Sequence, residues 1–287
     1  MWRFILRDLS NENVIHMNKN GVQYLQFRRL LEYKNIIEHV YPLGLNFDFR
    51  ADKVNKENLT KEQEEKELQS YKKICKTLEI NYQNIIRGNQ EHTDNIQIVN
   101  EKINKNNVDI NIEKYNNTDG LVTNKRDFIL STTNADCILM MFFDPRTKTI
   151  ANIHSGWKGT VQRISTKTVK KMEREFDCKT EDIICCICPS IRKCHFEVDK
   201  DVMEIFKKQF QDLGSTNLEH IIEKQEIQEK WNIDTVLINK IILERVGLKR
   251  ENIIDSGICS VCNSDLIHSY RVEKQGYGKS TALITLK

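Results

Sequence analysis

No apolar run in these 287 residues approaches the roughly 20 that a membrane-spanning helix needs, which excludes a helical membrane protein. The opening Met-Trp-Arg-Phe-Ile-Leu-Arg-Asp lacks an export signal's apolar core, because Arg7 and Asp8 interrupt it; a cytoplasmic address is the default expectation. Charge of one sign is also missing. The net charge is only +3 and the basic residues are scattered rather than blocked, so nucleic acid is disfavoured as a partner. Prolines number three, with no Pro-rich break, internal repeat or low-complexity linker to divide the chain. What is present is ordinary for a globular protein, at 39% apolar and 30% charged residues, and is enough to bury a sizeable core.

Nine cysteines without an export signal are expected to be reduced thiols. Cys185, Cys186, Cys188 and Cys194 crowd together, and Cys259 and Cys262 form the one Cys-x-x-Cys pair, with no second pair facing it at zinc-knuckle spacing. Ile183–Ile187 reads as a fully buried strand in which Cys is a small apolar filler. The expectation for this group is therefore structural thiols.

The stretch Thr132–Gly159 organises the rest. Two apolar runs, Ile138–Phe143 and Ile150–Ile153, flank a turn on Asp144-Pro145, which reads as a pair of neighbouring strands. Cys137 stands where the first begins and His154 where the second ends, so an antiparallel pairing brings both to one end of the sheet. A thiol and an imidazole there form half a metal site or half a nucleophile–base pair. The plain alternative is a buried Cys beside a satisfied core His.

Asn134-Ala-Asp-Cys137 followed by His154-Ser-Gly-Trp-Lys-Gly159 resembles the laccase-domain family, the YfiH-like multicopper polyphenol oxidoreductases. Asn134, Ser155 and Lys158 depart from that family's Thr, Ala and Arg. Further matching stretches follow the family's order: Gln90-Glu91-His92 after a short strand, Asp119-Gly-Leu-Val-Thr123, Pro189-Ser-Ile191, Cys194-His-Phe-Glu-Val198 and Ser269-Tyr-Arg271. The helical Asn-Arg of relatives aligns with Ser70-Tyr71, a further departure. The resemblance runs from about residue 35 to the end. It implies one domain over 1–287, an α+β fold with mixed β-sheets packed between helices in α/β/β/α layers.

The resemblance also implies a purine nucleoside phosphorylase acting on adenosine, inosine, guanosine or methylthioadenosine with phosphate, and a side activity deaminating adenosine. It implies metal ligands at His92, Cys137 and His154. Zinc accepts such a set, and three protein ligands leave a fourth position for water or substrate. Copper is disfavoured, since laccase chemistry needs several copper sites and many more than the seven histidines present. Met140 and Met141, the possible axial ligands, are more simply core residues. Asp136 is expected as a catalytic acid/base group or as the support of a ligand His. Lys158, Gly159 and Arg271 are expected around phosphate, with the helix start after Gly159 as an anion site. Two other classes compete: a metal-independent hydrolase with Cys137 as nucleophile and His154 as base, and a non-catalytic protein whose zinc is closed by a fourth ligand, Asp136 or a distant Cys. The oligomeric state is left open.

For the remaining elements, Val14–Met17 and Val22–Phe27 flank Asn-Lys-Asn-Gly and read as a hairpin. Ile36–Tyr41 reads as a strand ending at Pro42. Leu59–Leu78 reads as one amphipathic helix capped by Thr60 with Gln63. Ile103–Asn117 reads as a surface loop. Helices are expected over Val161–Phe176, Asp199–Phe210 and Trp231–Val246, strands over Phe128–Thr132, Ile183–Cys188 and Ser280–Leu286, and nothing definite over Gly214–Lys230.

Overall fold

A strand buried on both faces reads as an unbroken apolar run, and such runs mark the centre of this molecule. The computed structural model describes residues 7–50, 60–100, 115–126, 128–226 and 228–287. Most of the loop expected over Ile103–Asn117 lies outside the described residues. In chain order the strands are β1 (Val14–Lys19), β2 (Val22–Phe27), β3 (Ile37–Leu43), β4 (Ile85–Arg87), β5 (Ile96–Ile98), β6 (Gly120–Thr123), β7 (Ile129–Asn134), β8 (Ile138–Asp144), β9 (Thr149–Ser155), β10 (Ile184–Ile187), β11 (Glu197–Val198), β12 (Ile222–Lys224), β13 (Trp231–Ile233), β14 (Ile253–Asp255) and β15 (Ser280–Leu286). The helices are α1 (Arg28–Leu31), α2 (Lys61–Leu78), α3 (Trp157–Val161), α4 (Ile164–Phe176), α5 (Lys200–Gln209), α6 (Ser215–Ile221), α7 (Thr235–Arg245) and α8 (Tyr270–Glu273).

Two six-stranded mixed sheets run β1-β2-β3-β15-β7-β4 and β14-β10-β8-β9-β6-β5. The period of two along β8 shows how they stack. Leu139, Met141 and Phe143 pack with Leu130, Ala282 and Ile284 of the first sheet. The alternate residues Ile138, Met140 and Phe142 pack outward with Val169 and Met172 of α4 and Val236 and Leu243 of α7. Both methionines are thus core residues on opposite faces, as expected. On the far side, Tyr71, Ile74 and Cys75 of α2 cover Tyr24, Val40, Ile129 and Leu283. The result is the expected α/β/β/α layering of an α+β fold. A small third sheet, β11-β13-β12, builds a satellite core with Phe206 of α5 and Ile221 of α6.

Several local expectations meet the structure closely. Thr60 and Gln63 form a reciprocal capping box at the start of α2, satisfying two amides that a helix start leaves open. The β1–β2 hairpin pairs Lys19 with Val22 across Asn20-Gly21, where φ is +55° and +76°. Cys185 and Cys186 lie fully buried in β10, and Cys188 just beyond it.

Other expectations are corrected. Pro42 does not end its strand. It lies inside β3, opposite Tyr24 of β2, beyond Val40, where pairing with β15 stops, so its missing N–H leaves no gap in that ladder. The helix expected over Val161–Phe176 is two helices, α3 and α4, broken at Arg163. That residue takes a left-handed φ of +60° while its guanidinium reaches Asp212 at 2.5 Å and covers the Phe210 ring. The helix expected from Trp231 begins only at Thr235, because Trp231–Ile233 pairs as β13 and Asp234 accepts the Leu237 amide as N-cap.

Candidate functional site

The pairing Leu139↔His154 sets the site, for it places Cys137, just before β8, and His154, near the end of β9, at the same sheet end. His92 arrives from the loop after β4. The three donor atoms lie within 4.8 Å of one another, with the Cys137 thiol 3.9 Å from His92 Nε2. The imidazole rings meet edge to face, their centroids 4.9 Å apart. Gly156 faces this triad. A Cβ there would fall 2.8 Å from the His92 ring and 3.1 Å from the Cys137 sulfur, so the position admits no side chain without displacing a donor.

A buried carboxylate holds the arrangement. Asp119, just before β6, accepts the amides of Glu91, His92 and Thr93 at 3.1, 3.2 and 2.7 Å and the Thr93 hydroxyl at 2.8 Å. It also accepts His154 Nδ1–H at 2.7 Å. One side chain therefore folds the His92 loop and orients the His154 ring through its Nδ1. Burial pushes the Asp119 carboxyl up, but the hydrogen bond and charge of His154 hold it below the usual carboxylate range. Asp119 was not recognised in the sequence beyond its place in Asp119–Thr123. The carboxylate that meets an imidazole of the triad is Asp119 and not Asp136.

Cys137 and His154 polarise each other. Desolvation raises the Cys137 thiol, but the charge of His154 and hydrogen bonds from both histidines outweigh it, bringing it down to about 6. Desolvation likewise lowers His154, while Cys137 and Asp119 raise it to about 9. The structure thus favours a thiolate–imidazolium pair. Neighbours lock both loops. Gln90 exchanges two 2.8 Å bonds with the Thr133 backbone, and Asn134 donates to the Cys137 and Pro189 carbonyls at 2.6 and 3.0 Å.

The donor set fits zinc. A tetrahedral ion with Zn–S near ~2.3 Å and Zn–N near ~2.0 Å has a sulfur–nitrogen edge of ~3.6 Å, a few tenths shorter than the 3.9 Å seen. No fourth His, Cys, Asp or Glu joins this group among the described residues. Asp136, offered as a closing ligand, gives its two oxygens to the Ser260 hydroxyl at 2.6 Å and the Arg271 amide at 2.7 Å. The triad instead opens on a cleft of about 720 Å³, which also takes in Asp136, Phe196, Tyr270, Arg271 and Lys279. The Arg271 guanidinium donates to the Glu197 carbonyl at 3.1 Å. Of the expected anion-binding residues only Arg271 lines this cleft. Lys158 is exposed, its ammonium 5.7 Å over the Trp157 ring, and Gly159 is packed against Thr93 and Ile164. The helix start expected after Gly159 is absent, since α3 already begins at Trp157. Ser70 and Tyr71 do not line the cleft; the Tyr71 hydroxyl bonds Ser131 at 2.8 Å inside the α2 interface.

The expectation of buried thiols fails for Cys194 and Cys262 and holds for Cys259. Cys194 and Cys262 are exposed, and the fold brings Cys194-His195 against the Cys259–Cys262 pair. Spacing along the chain could not reveal this meeting, since 65 positions separate Cys194 from Cys259.

Residues 48–287 match the family model described as multi-copper polyphenol oxidoreductase laccase. Over 170 residues, 59% of each chain, the sequence is 29% identical to the purine nucleoside phosphorylase YlmD of Bacillus subtilis (strain 168). The chain thus spans less than two thirds of that relative's length. Over 198 residues it is 28% identical to the adenosine deaminase RL5 of an unknown prokaryotic organism, covering 69% of this chain and 73% of that one. The fold superposes on the crystal structure of the Bacillus licheniformis hypothetical protein YfiH with a TM-score of 0.77 at 21% identity, covering 93% of this chain and all of that one.

Proposed function

The chain belongs to the multi-copper polyphenol oxidoreductase laccase family, and from that premise we propose that it is a purine nucleoside phosphorylase with adenosine deamination as a side reaction. One observation carries the reading: an open two-His, one-Cys triad at the wall of a cleft that also holds aromatic rings and cations. A non-catalytic zinc protein would close the metal with a fourth protein ligand. Here the side nearest substrate is left free.

His92, Cys137 and His154 would hold the zinc. When bound it supplies a Lewis acid that stabilises developing negative charge. The chain's own residues do the rest. Phe196 and Tyr270 offer ring faces against which a purine stacks. Arg271 supplies the positive charge that holds phosphate for attack at the ribose C1′, as the bond to the base breaks. Asp136, by accepting the Arg271 amide, is a positioning residue for that cation. Adenosine, inosine, guanosine and methylthioadenosine are the proposed substrates, in a cytoplasmic setting.

The thiolate–imidazolium character of Cys137 and His154 also suits the second reading, a Cys/His hydrolase that needs no metal. The test is base release from inosine and phosphate by the wild type, by Cys137→Ala, and by chelator-treated protein. The proposal expects turnover to vanish in both treated samples and to return to the stripped wild type with zinc. Turnover that survives the chelator but not the substitution belongs to the thiol hydrolase. A fully active Cys137→Ala would refute both schemes.

A further inference from the structure

Outside the cleft's triad, a second set of soft donors converges where two loops meet. Cys194 and His195 sit on the turn that leads into β11, while Cys259 lies just before a single helical turn (Val261–Asn263) ahead of α8 and Cys262 lies within it. All four donor atoms lie within 4.8 Å of one another. The Cys194 and Cys259 sulfurs are 3.7 Å apart, far beyond the ~2.05 Å of a disulfide. His195 Nδ1 stands 3.1, 3.7 and 3.6 Å from the sulfurs of Cys194, Cys259 and Cys262.

These lengths have a simple geometric meaning. A tetrahedral zinc with Zn–S of ~2.3 Å and Zn–N of ~2.0 Å has sulfur–sulfur edges near ~3.8 Å and sulfur–nitrogen edges near ~3.6 Å. Three of the four separations fall within about two tenths of an ångström of those edges. So compact a group holds one ion, not a cluster. We propose that Cys194, His195, Cys259 and Cys262 form a second, structural zinc site of the three-thiolate, one-imidazole type. Four protein ligands close it, in contrast to the open triad of the cleft. As zinc enters, the three thiols release their protons to solvent.

The site joins two segments that the backbone already zips together. Ser260 N–H donates to the Ser190 carbonyl at 3.0 Å and Ser190 N–H to the Ile258 carbonyl at 3.3 Å. Both segments reach the cleft. Ile191 and Phe196 form part of its wall, and the Ser260 hydroxyl anchors Asp136. The zinc therefore ties together two segments that brace the Asp136–Cys137 loop, as a support and not as a participant in the reaction.

The experiment adds cobalt(II), then zinc, to full-length Cys137→Ala, in which the cleft triad retains no thiolate. The proposal expects one equivalent of cobalt with the intense visible bands of a tetrahedral thiolate site, bleached by zinc. On the wild-type chain, zinc should protect Cys194, Cys259 and Cys262 from iodoacetamide, as mapped by peptide mass spectrometry, and a chelator should expose them. This second arm needs no variant to fold. Absence of thiolate bands together with zinc-independent alkylation would overturn the proposal. So would a disulfide from Cys194 to Cys259 or Cys262 in protein purified without reductant. Neither readout depends on phosphorolysis, so failure here leaves that reading untouched.

Discussion

Asp119 organises the triad, because one carboxylate holds both histidine-bearing segments. Asp119→Asn keeps the shape but loses the charge that fixes His154. Its zinc affinity, measured by competition with a chelating dye, should fall about 10- to 100-fold, with activity falling in step. Unchanged affinity would remove Asp119 from the account. The Cys137 shift gives a second outcome. An ordinary thiol loses its reactive thiolate as pH falls through its value near 9, whereas Cys137 keeps its thiolate until pH falls through about 6. In metal-stripped protein, Cys137 alkylation should therefore persist at pH 7 while the buried thiols stay inert. A profile that collapses below pH 8 would contradict the pairing with His154. At this scale the meeting of Cys137 with His154 was legible, since they bracket two largely apolar runs, whereas His92 entered only through the family resemblance. The roles of Asp119 and Asp136 were not. Both are acidic residues at strand ends, and only the path of the backbone decides which carboxylate meets an imidazole.

Among the elements, those with strong local chemistry were read well. The capping box fixed the start of α2, and a continuous apolar run marked β8, with shorter apolar stretches in β9 and β15. Thr60→Ala should lower stability by about 1 kcal/mol in chemical unfolding and leave KM unchanged, because α2 covers the sheet face away from the cleft. A change in KM would show that α2 reaches the site. Boundaries set by distant partners were not legible. The break at Arg163 coincides with its contacts to Asp212 and Phe210, and β13 is recognised only once Glu197–Val198 and Ile222–Lys224 pair with it. Three-residue strands carry too little periodicity to separate from a following helix.

For the molecule as a whole, stacking two mixed sheets between helical layers brings three chain segments to one end and leaves a cleft there. The layers followed from a resemblance spread along the chain. The convergence of Cys194 with Cys259 and Cys262 depends on loop packing that no local pattern encodes. No helix among the described residues is long and apolar enough to cross a membrane. The central claim is that the cleft cleaves purine nucleosides with phosphate. Its most direct test is chromatography of inosine and adenosine incubated with zinc-loaded protein, with and without phosphate. The account predicts free base and ribose 1-phosphate only when phosphate is present. Inosine formed from adenosine regardless of phosphate, with no free base, or no turnover of either nucleoside, would contradict it.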